Sequence, residues 1–234
     1  MIQTIGHRGA AALEPENTLR SFRKAIDIGV DYVEFDIHRC KSGEIVVMHD
    51  ESVDRTTNGK GFVADLTLQQ LKKLDAGKGE QIPTLQEAID TCKGRVKMQI
   101  ELKAYGLEED TVATIEKNGV AADVIVISFY HEFIKRAKVI AAARKLQIKT
   151  GALIVGNPVK ASEVAKAAKA DYISANQNFT DKRMVDELKK AGIGIVVWNC
   201  DTEMDIKRLS ELGVDAIGSN KPDLLIKVLN ENGR

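Results

Sequence analysis

Between two apolar runs, "YVEFDIH" (residues 32–38) and "IVVMH" (45–49), the chain has only the six residues "RCKSGE". A parallel crossover needs about a dozen residues, so these two runs can pair only as an antiparallel hairpin. The rest of the chain is spaced differently. Runs rich in β-branched and aliphatic residues recur near residues 2–6, 31–38, 44–49, 96–101, 124–128, 148–154, 172–174, 194–198 and 214–217. Most are separated by helical periodicity, as in Leu19, Phe22 and Ile26, in Val139 and Ala143, and in Val185 and Leu188. Setting aside the return run of the hairpin leaves eight βα units. Eight parallel strands, each followed by a helix, predict an α/β fold of the (β/α)8 or TIM-barrel type, with a doubly wound open sheet as the alternative. At 234 residues the chain is close to the roughly 250 of one such barrel, so a single domain over 1–234 is expected.

One stretch has no place in that scheme. Residues 50–82 contain no barrel element, yet Phe62, Val63, Leu66, Leu68, Leu71 and Leu74 recur through them, and Thr67 with Gln70 reads as a capping box opening a short helix through Leu74. An ordered insertion capping one barrel mouth is expected here, since a disordered linker has no use for apolar residues. Three related stretches before strands, "GVDYVEF", "KADYISA" and "GVDAIGS", read as similar helix-to-strand turns with glycine ending a helix.

Charge and cysteine content narrow the function. Lys plus Arg and Asp plus Glu number 34 each. No basic stripe points to nucleic acid, and an anionic substrate must be met by local cations. Cys40, Cys92 and Cys200 are odd in number and lack zinc spacing, which suggests reduced, buried thiols in a reducing compartment. The N-terminus lacks a basic n-region and an extended apolar h-region, and no apolar stretch approaches the roughly 18 residues of a membrane helix. A cytoplasmic protein without stable membrane insertion is expected.

Within "VEFDIH" the pleat of a strand sends Glu34, Asp36 and His38 to one face and Val33, Phe35 and Ile37 to the other. A barrel strand has no solvent-facing side, so two carboxylates on its interior face call for a cation. "MQIELK" places Gln99, Glu101 and Lys103 on one face in the same way. Glu34, Asp36 and Glu101 form a hard oxygen donor set, suited to Mg²⁺ or Ca²⁺ rather than Zn²⁺. Hairpin pairing centred on Ser42 and Gly43 returns His49 to the level of Glu34 and Asp36, and His7 ends the first strand in "GHRG". Two imidazoles beside a metal site suit general acid and base work near neutral pH. His38 and His131 lack that convergence and are expected to be structural. Pro15 and Asn17 also read as structural, with Asn17 or Thr18 capping the first helix; Glu16 is in reach of Arg8 or His7.

These residues sit in blocks with a familiar order: "GHRG" (6–9), "PENT" (15–18), "VEFDIH" with "SGEIVVMHD" (33–50), "RTTNGKG" (55–61), "IELK" (100–103), "ISF" (127–129), "VVWN" (196–199) and "SNKPD" (219–223). From end to end the chain resembles the glycerophosphodiester phosphodiesterases. The resemblance implies a metal-dependent hydrolase releasing glycerol 3-phosphate and an alcohol from a small-molecule glycerophosphodiester. It assigns acid and base roles to His7 and His49, a divalent cation (Mg²⁺ or Ca²⁺, with Mn²⁺ also admitted) to Glu34, Asp36 and Glu101, and substrate or phosphate contacts to Arg8, Lys103 and Trp198. It favours attack by the neighbouring glycerol hydroxyl through a cyclic phosphate, with direct attack by water as the competing version, and it admits a homodimer. The chain departs from the family where Asn199 and Cys200 follow Trp198 and where Ser219-Asn220-Lys221-Pro222 replaces the commoner T-D-x-P. Neither departure falls at a histidine or metal position, so both are expected to bear on substrate range and hardly at all on reaction type. A lysophospholipase D-like activity on lysophospholipids is the nearest alternative, for which no strong apolar cluster is evident on the loops. A non-catalytic anion-binding barrel is disfavoured by the intact set of His7, His49 and three acids.

Overall fold

In the computed structural model, which describes residues 1–231, all nine expected strands form. Eight are parallel: β1 (Gln3–Gly6), β2 (Tyr32–Arg39), β4 (Lys97–Leu102), β5 (Val124–Ser128), β6 (Lys149–Ile154), β7 (Tyr172–Asn176), β8 (Gly194–Trp198) and β9 (Ala216–Ser219). β1 pairs with both β2 and β9, which closes the ring and excludes the open doubly wound sheet. The ninth, β3 (Ile45–Val47), is antiparallel to β2 and lies outside the ring. β1 stops at Gly6, level with Val33, and leaves the far end of β2 with an unpaired edge. The hairpin covers it: Ile37, His38 and Arg39 pair with Val47, Val46 and Ile45.

The aspartates of the three related turns do more than punctuate. Asp31 accepts the backbone N–H of Thr4 at 2.7 Å, Asp171 that of Thr150 at 2.7 Å and Asp215 that of Ile195 at 2.7 Å. Each carboxylate precedes one strand and ties down the start of its ring neighbour. Strand register at the bottom of the barrel is therefore pinned by side chains that the glycine pattern alone does not reveal.

Alternation separates two cores. Val33, Phe35 and Ile37 face outward into the large cluster shared with the helices, while Ile5, Tyr32, Ile125, Ile127, Leu153, Val196 and Ala216 fill the barrel interior. The first helix, α1 (Leu19–Ile28), buries Ser21, Phe22 and Ala25 and is capped by Thr18, whose hydroxyl accepts the N–H of Ser21. Gly9 lets that helix come close. It has φ 84°, and a Cβ there would lie 2.6 Å from the backbone carbon of Ser21. On the helix His131–Ala143 the buried stripe is Phe133, Ile134, Ala137 and Ala141; Val139 and Ala143, expected inside, lie on the exposed face.

Within residues 50–82 the Thr67–Gln70 capping box is present, but its helix, Leu68–Leu71, ends one turn before Leu74. Leu71, Val63, Val53, Ala76 and Ile82 bury themselves against Cys40, Val46 and Met48 of the hairpin. Phe62, expected among them, is instead 56% exposed. The segment also reaches the β1–α1 loop, through Arg55 to Glu16 and Lys78 to Glu14. The three cysteines are buried and unpaired, and no helix among the described residues is long and apolar enough to cross a membrane.

Candidate active site

The C-terminal ends of β2 and β4 lie in register, Glu34 opposite Gln99 and Asp36 opposite Glu101. Three carboxylates, from Glu34, Asp36 and Glu101, thus converge with oxygens all within 4.8 Å of one another, every one buried. Burial and the repulsion of Asp36 and Glu101 push Glu34 well above the ordinary carboxylate range, and burial with the charge of Asp36 pushes Glu101 up to about 7. Lys103 offsets only part of this charge, 3.0 Å from Glu101 and 3.7 Å from Asp36. Asp36 shows the deficit most directly. One of its oxygens accepts from Asn17 Nδ2 at 2.8 Å, while Oδ1 is buried without a hydrogen bond. An all-oxygen donor set with surplus negative charge and an orphaned carboxylate oxygen fits a divalent cation.

Two histidines flank the acids. His7 ends β1, and its Nε2 lies 3.8 Å from Glu34 and 3.4 Å from Asn199 Nδ2, while Nδ1 is 2.7 Å from Asn220 Oδ1. Burial, and then the adjacent Arg8 charge, lower its pKa to about 4, which leaves it a neutral base at physiological pH. His49 follows β3, and with Met48 N–H donating to Asp36 carbonyl it stands at the level between Glu34 and Asp36, as the hairpin spacing predicts. Its Nε2 is 3.1 Å from Lys103 Nζ and its Nδ1 is 2.6 Å from Asp50 Oδ1.

Arg8 is held by its unusual backbone. At φ 51° its N–H turns inward to donate to Glu34 at 2.9 Å. Its guanidinium meets Glu16 at 2.8 Å and Asp36 at 3.4 Å. Glu16 is shared: Arg55 forks onto it at 2.9 and 2.7 Å and onto Asp50 at 2.7 and 3.0 Å. A chain of charges therefore runs from Asp36 through Arg8, Glu16 and Arg55 to Asp50, whose Oδ1 meets His49.

Opposite the charged half, Ile5, Ile127, Leu153, Val196 and Trp198 line an apolar wall, and the cavity between the two halves measures about 90 Å³. Pockets that enclose a drug-sized ligand run to ~300–1,000 Å³, so only a small polar head fits inside. Trp198 is fixed by donating to the Ser174 carbonyl at 3.1 Å and meets Phe129 edge-on at 5.7 Å. Around the rim, Tyr105, Phe129, Tyr130 and Phe179 are 42–78% exposed, and Tyr105 and Tyr130 lie 5.6 Å apart. The loops after β4 and β5 thus bring Tyr105 and Tyr130 together from distant parts of the sequence, while Phe179 lies on the loop after β7.

The family model for the glycerophosphoryl diester phosphodiesterase family matches residues 7–224. The chain belongs to this family. A glycerophosphodiester phosphodiesterase of Caldanaerobacter subterraneus subsp. tengcongensis is 34% identical over 242 residues, covering 98% of both chains. Among solved structures, a phosphodiesterase of Oleispira antarctica in complex with the product sn-glycerol-3-phosphate aligns with a TM-score of 0.86 at 31% identity, over 97% of this chain and 96% of that one. A glycerophosphodiester phosphodiesterase of Agrobacterium tumefaciens aligns at 0.84 and 28%, over 97% and 100%.

Against this glycerophosphodiester phosphodiesterase frame, all eight residues singled out in the sequence, His7, Arg8, Glu34, Asp36, His49, Glu101, Lys103 and Trp198, stand around one barrel mouth. Of the two residues expected to cap α1, Thr18 does so and Asn17 instead donates to Asp36. His38, structural as expected, touches the site through the carbonyl of His49 at 3.1 Å, and His131 holds the Leu153 carbonyl at 2.9 Å. Asn199 and Asn220, expected to bear on substrate range, are the two residues bracketing the His7 ring. Asp50 and Asp201 were missed; the first follows His49 directly, a local signal, whereas Asp201 reaches the site only through Asn220.

Proposed function

We propose that the chain is a metal-dependent glycerophosphodiester phosphodiesterase, releasing sn-glycerol 3-phosphate and an alcohol, built as one barrel domain in which residues 50–82 wall one side of the mouth. The observation that carries this is the buried trio of Glu34, Asp36 and Glu101 flanked by His7 and His49. These three carboxylates hold the cation, with Mg²⁺ or Ca²⁺ favoured and Mn²⁺ admitted by the donor chemistry. When bound it neutralises charge on the phosphoryl oxygens. Arg8 and Lys103 add fixed positive charge beside it, in a site where burial strengthens their effect. One histidine takes a proton from the attacking hydroxyl, and the other gives one to the departing alkoxide. The neighbouring glycerol hydroxyl is the favoured nucleophile, through a cyclic phosphate. Trp198 and the apolar wall receive the uncharged part of the substrate. Buried unpaired cysteines favour a cytoplasmic location.

The exposed rim of Tyr105, Phe129, Tyr130 and Phe179 favours a second substrate class, lysophospholipids, whose acyl chain would lie on these rings outside the small cavity. One assay separates the two. Glycerol 3-phosphate release from glycerophosphodiesters, with each divalent metal added after chelation, is expected to depend on metal. Activity insensitive to the chelator overturns the metal assignment, and turnover confined to acylated substrates makes the second class the correct one.

A further inference from the structure

Asn220 joins His7 to a carboxylate that lies outside the cavity. Its Nδ2 faces Asp201 Oδ2 at 2.6 Å, and its Oδ1 faces His7 Nδ1 at 2.7 Å. Only one orientation of this amide is chemically sound, because turning it over would press its oxygen against a carboxylate. Asp201 is itself held: Oδ1 accepts from the Asn220 backbone N–H at 2.8 Å and from Ser219 Oγ at 2.8 Å. The three partners come from loops after adjacent strands, β8 for Asp201, β9 for Asn220 and β1 for His7.

We propose that Asp201 is a positioning residue for His7: through the Asn220 amide it imposes the Nδ1–H tautomer, so that the lone pair of Nε2 faces the cavity. The inference rests on His7 being a proton-transfer group, but the tautomer is a property of the substrate-free protein. With a hydrogen on Nδ1 donating to Asn220, Nε2 is left as the acceptor toward Asn199 and the side able to take a proton. A carboxylate acting through an amide fixes orientation without placing negative charge against the ring. Nothing in the cavity is needed to hold this arrangement.

Asp201→Asn tests it with little change of shape. The introduced amide must keep its oxygen toward Ser219 and the Asn220 N–H, so its NH₂ faces Asn220. Asn220 then turns over and presents its own NH₂ to His7, which favours the Nε2–H tautomer. Nitrogen-15 spectra of histidine-labelled protein with Mg²⁺ present, assigned by a His7→Gln control, read the tautomer directly. The wild type is expected to show His7 as Nδ1–H. Asp201→Asn is expected to move it to Nε2–H and to lower kcat by about 10²- to 10⁴-fold, the contribution of a general acid or base, with KM changed less than about threefold. A wild-type His7 that is Nε2–H or mixed overturns the proposal whether or not the variant folds. So does a folded Asp201→Asn protein with an unchanged tautomer. An inverted tautomer with full kcat leaves the positioning geometry standing but removes His7 from proton transfer, and so overturns the catalytic consequence drawn from it.

Discussion

Glu16 is the junction of the charge chain across the mouth, and Glu16→Gln breaks it with almost no change in volume. Burial alone would raise the Glu16 carboxyl, but the hydrogen bonds and charges of Arg55 and Arg8 outweigh it and hold the group at about 2, against an ordinary 4.5. At about 1.4 kcal/mol per pH unit this bounds the contribution to folding at about 3 kcal/mol. The Arg55 side chain is 48% exposed, and solvent screening brings the expected loss to about 1.5 kcal/mol, or ~3–6 °C in Tm for a chain of this size. The sign follows from the depressed folded-state value. Stability from Glu16 is fully present above about pH 4.5 and is lost as pH falls toward 2. Thermal unfolding of wild type and variant at pH 7, 5 and 3 should therefore show a gap that is nearly constant from 7 to 5 and narrowed at 3. Equal Tm values at pH 7, or a gap undiminished at pH 3, would refute the ionic account. Because Glu16 also aims Arg8, kcat/KM should fall as well, about tenfold for the loss of roughly 1.4 kcal/mol of phosphate stabilisation.

His7→Ala and His49→Ala should each lower kcat by about 10²- to 10⁴-fold, measured as glycerol 3-phosphate release; full activity in either folded variant removes that residue from the chemistry. Gly9→Ala should cost at least about 2 kcal/mol in urea unfolding, since the new methyl meets the Ser21 backbone at 2.6 Å and the residue is held at φ 84°; a midpoint within error of wild type would contradict the close approach of α1. Asp215→Ala leaves the Ile195 N–H without its carboxylate and should cost about 1–3 kcal/mol, with kcat at 25 °C unchanged because the site lies at the other end of the barrel.

Much of the fold was legible because its signals are local. Strand pleat, helix period and the short loop of the hairpin are all contained within a dozen residues, and together they placed every strand. The same pleat put Glu34, Asp36 and Glu101 on the interior face, and the hairpin count brought His49 to their level. The signals failed where a residue's environment is decided by distant chain. Val139 fits a helical stripe as well as Ala137 does, and only the packing of neighbouring helices decides that one is buried and the other exposed. Asn17 has the chemistry of a helix cap and sits beside the true one, Thr18; its amide is drawn to Asp36, 19 positions away, by a buried carboxylate needing a donor.

The residues at which the chain leaves its family's usual pattern have the same origin. On the sequence, Asn199 and Asn220 follow the tryptophan and precede the final helix, far from either histidine, and a change of substrate range is the natural inference. In space β8, β9 and β1 are neighbours, so both amides meet the His7 ring across sequence separations of 192 and 213. An amide at 220 also needs something an aspartate would not, a partner that fixes which end of it faces the imidazole. Asp201 meets that need, with Ser219 and the Asn220 N–H holding it in turn. The departures at 199 and 220 therefore both bear on the His7 ring, Asn199 from the cavity wall and Asn220, backed by Asp201, on the other ring nitrogen. A change at either should alter kcat before it alters the choice of head group.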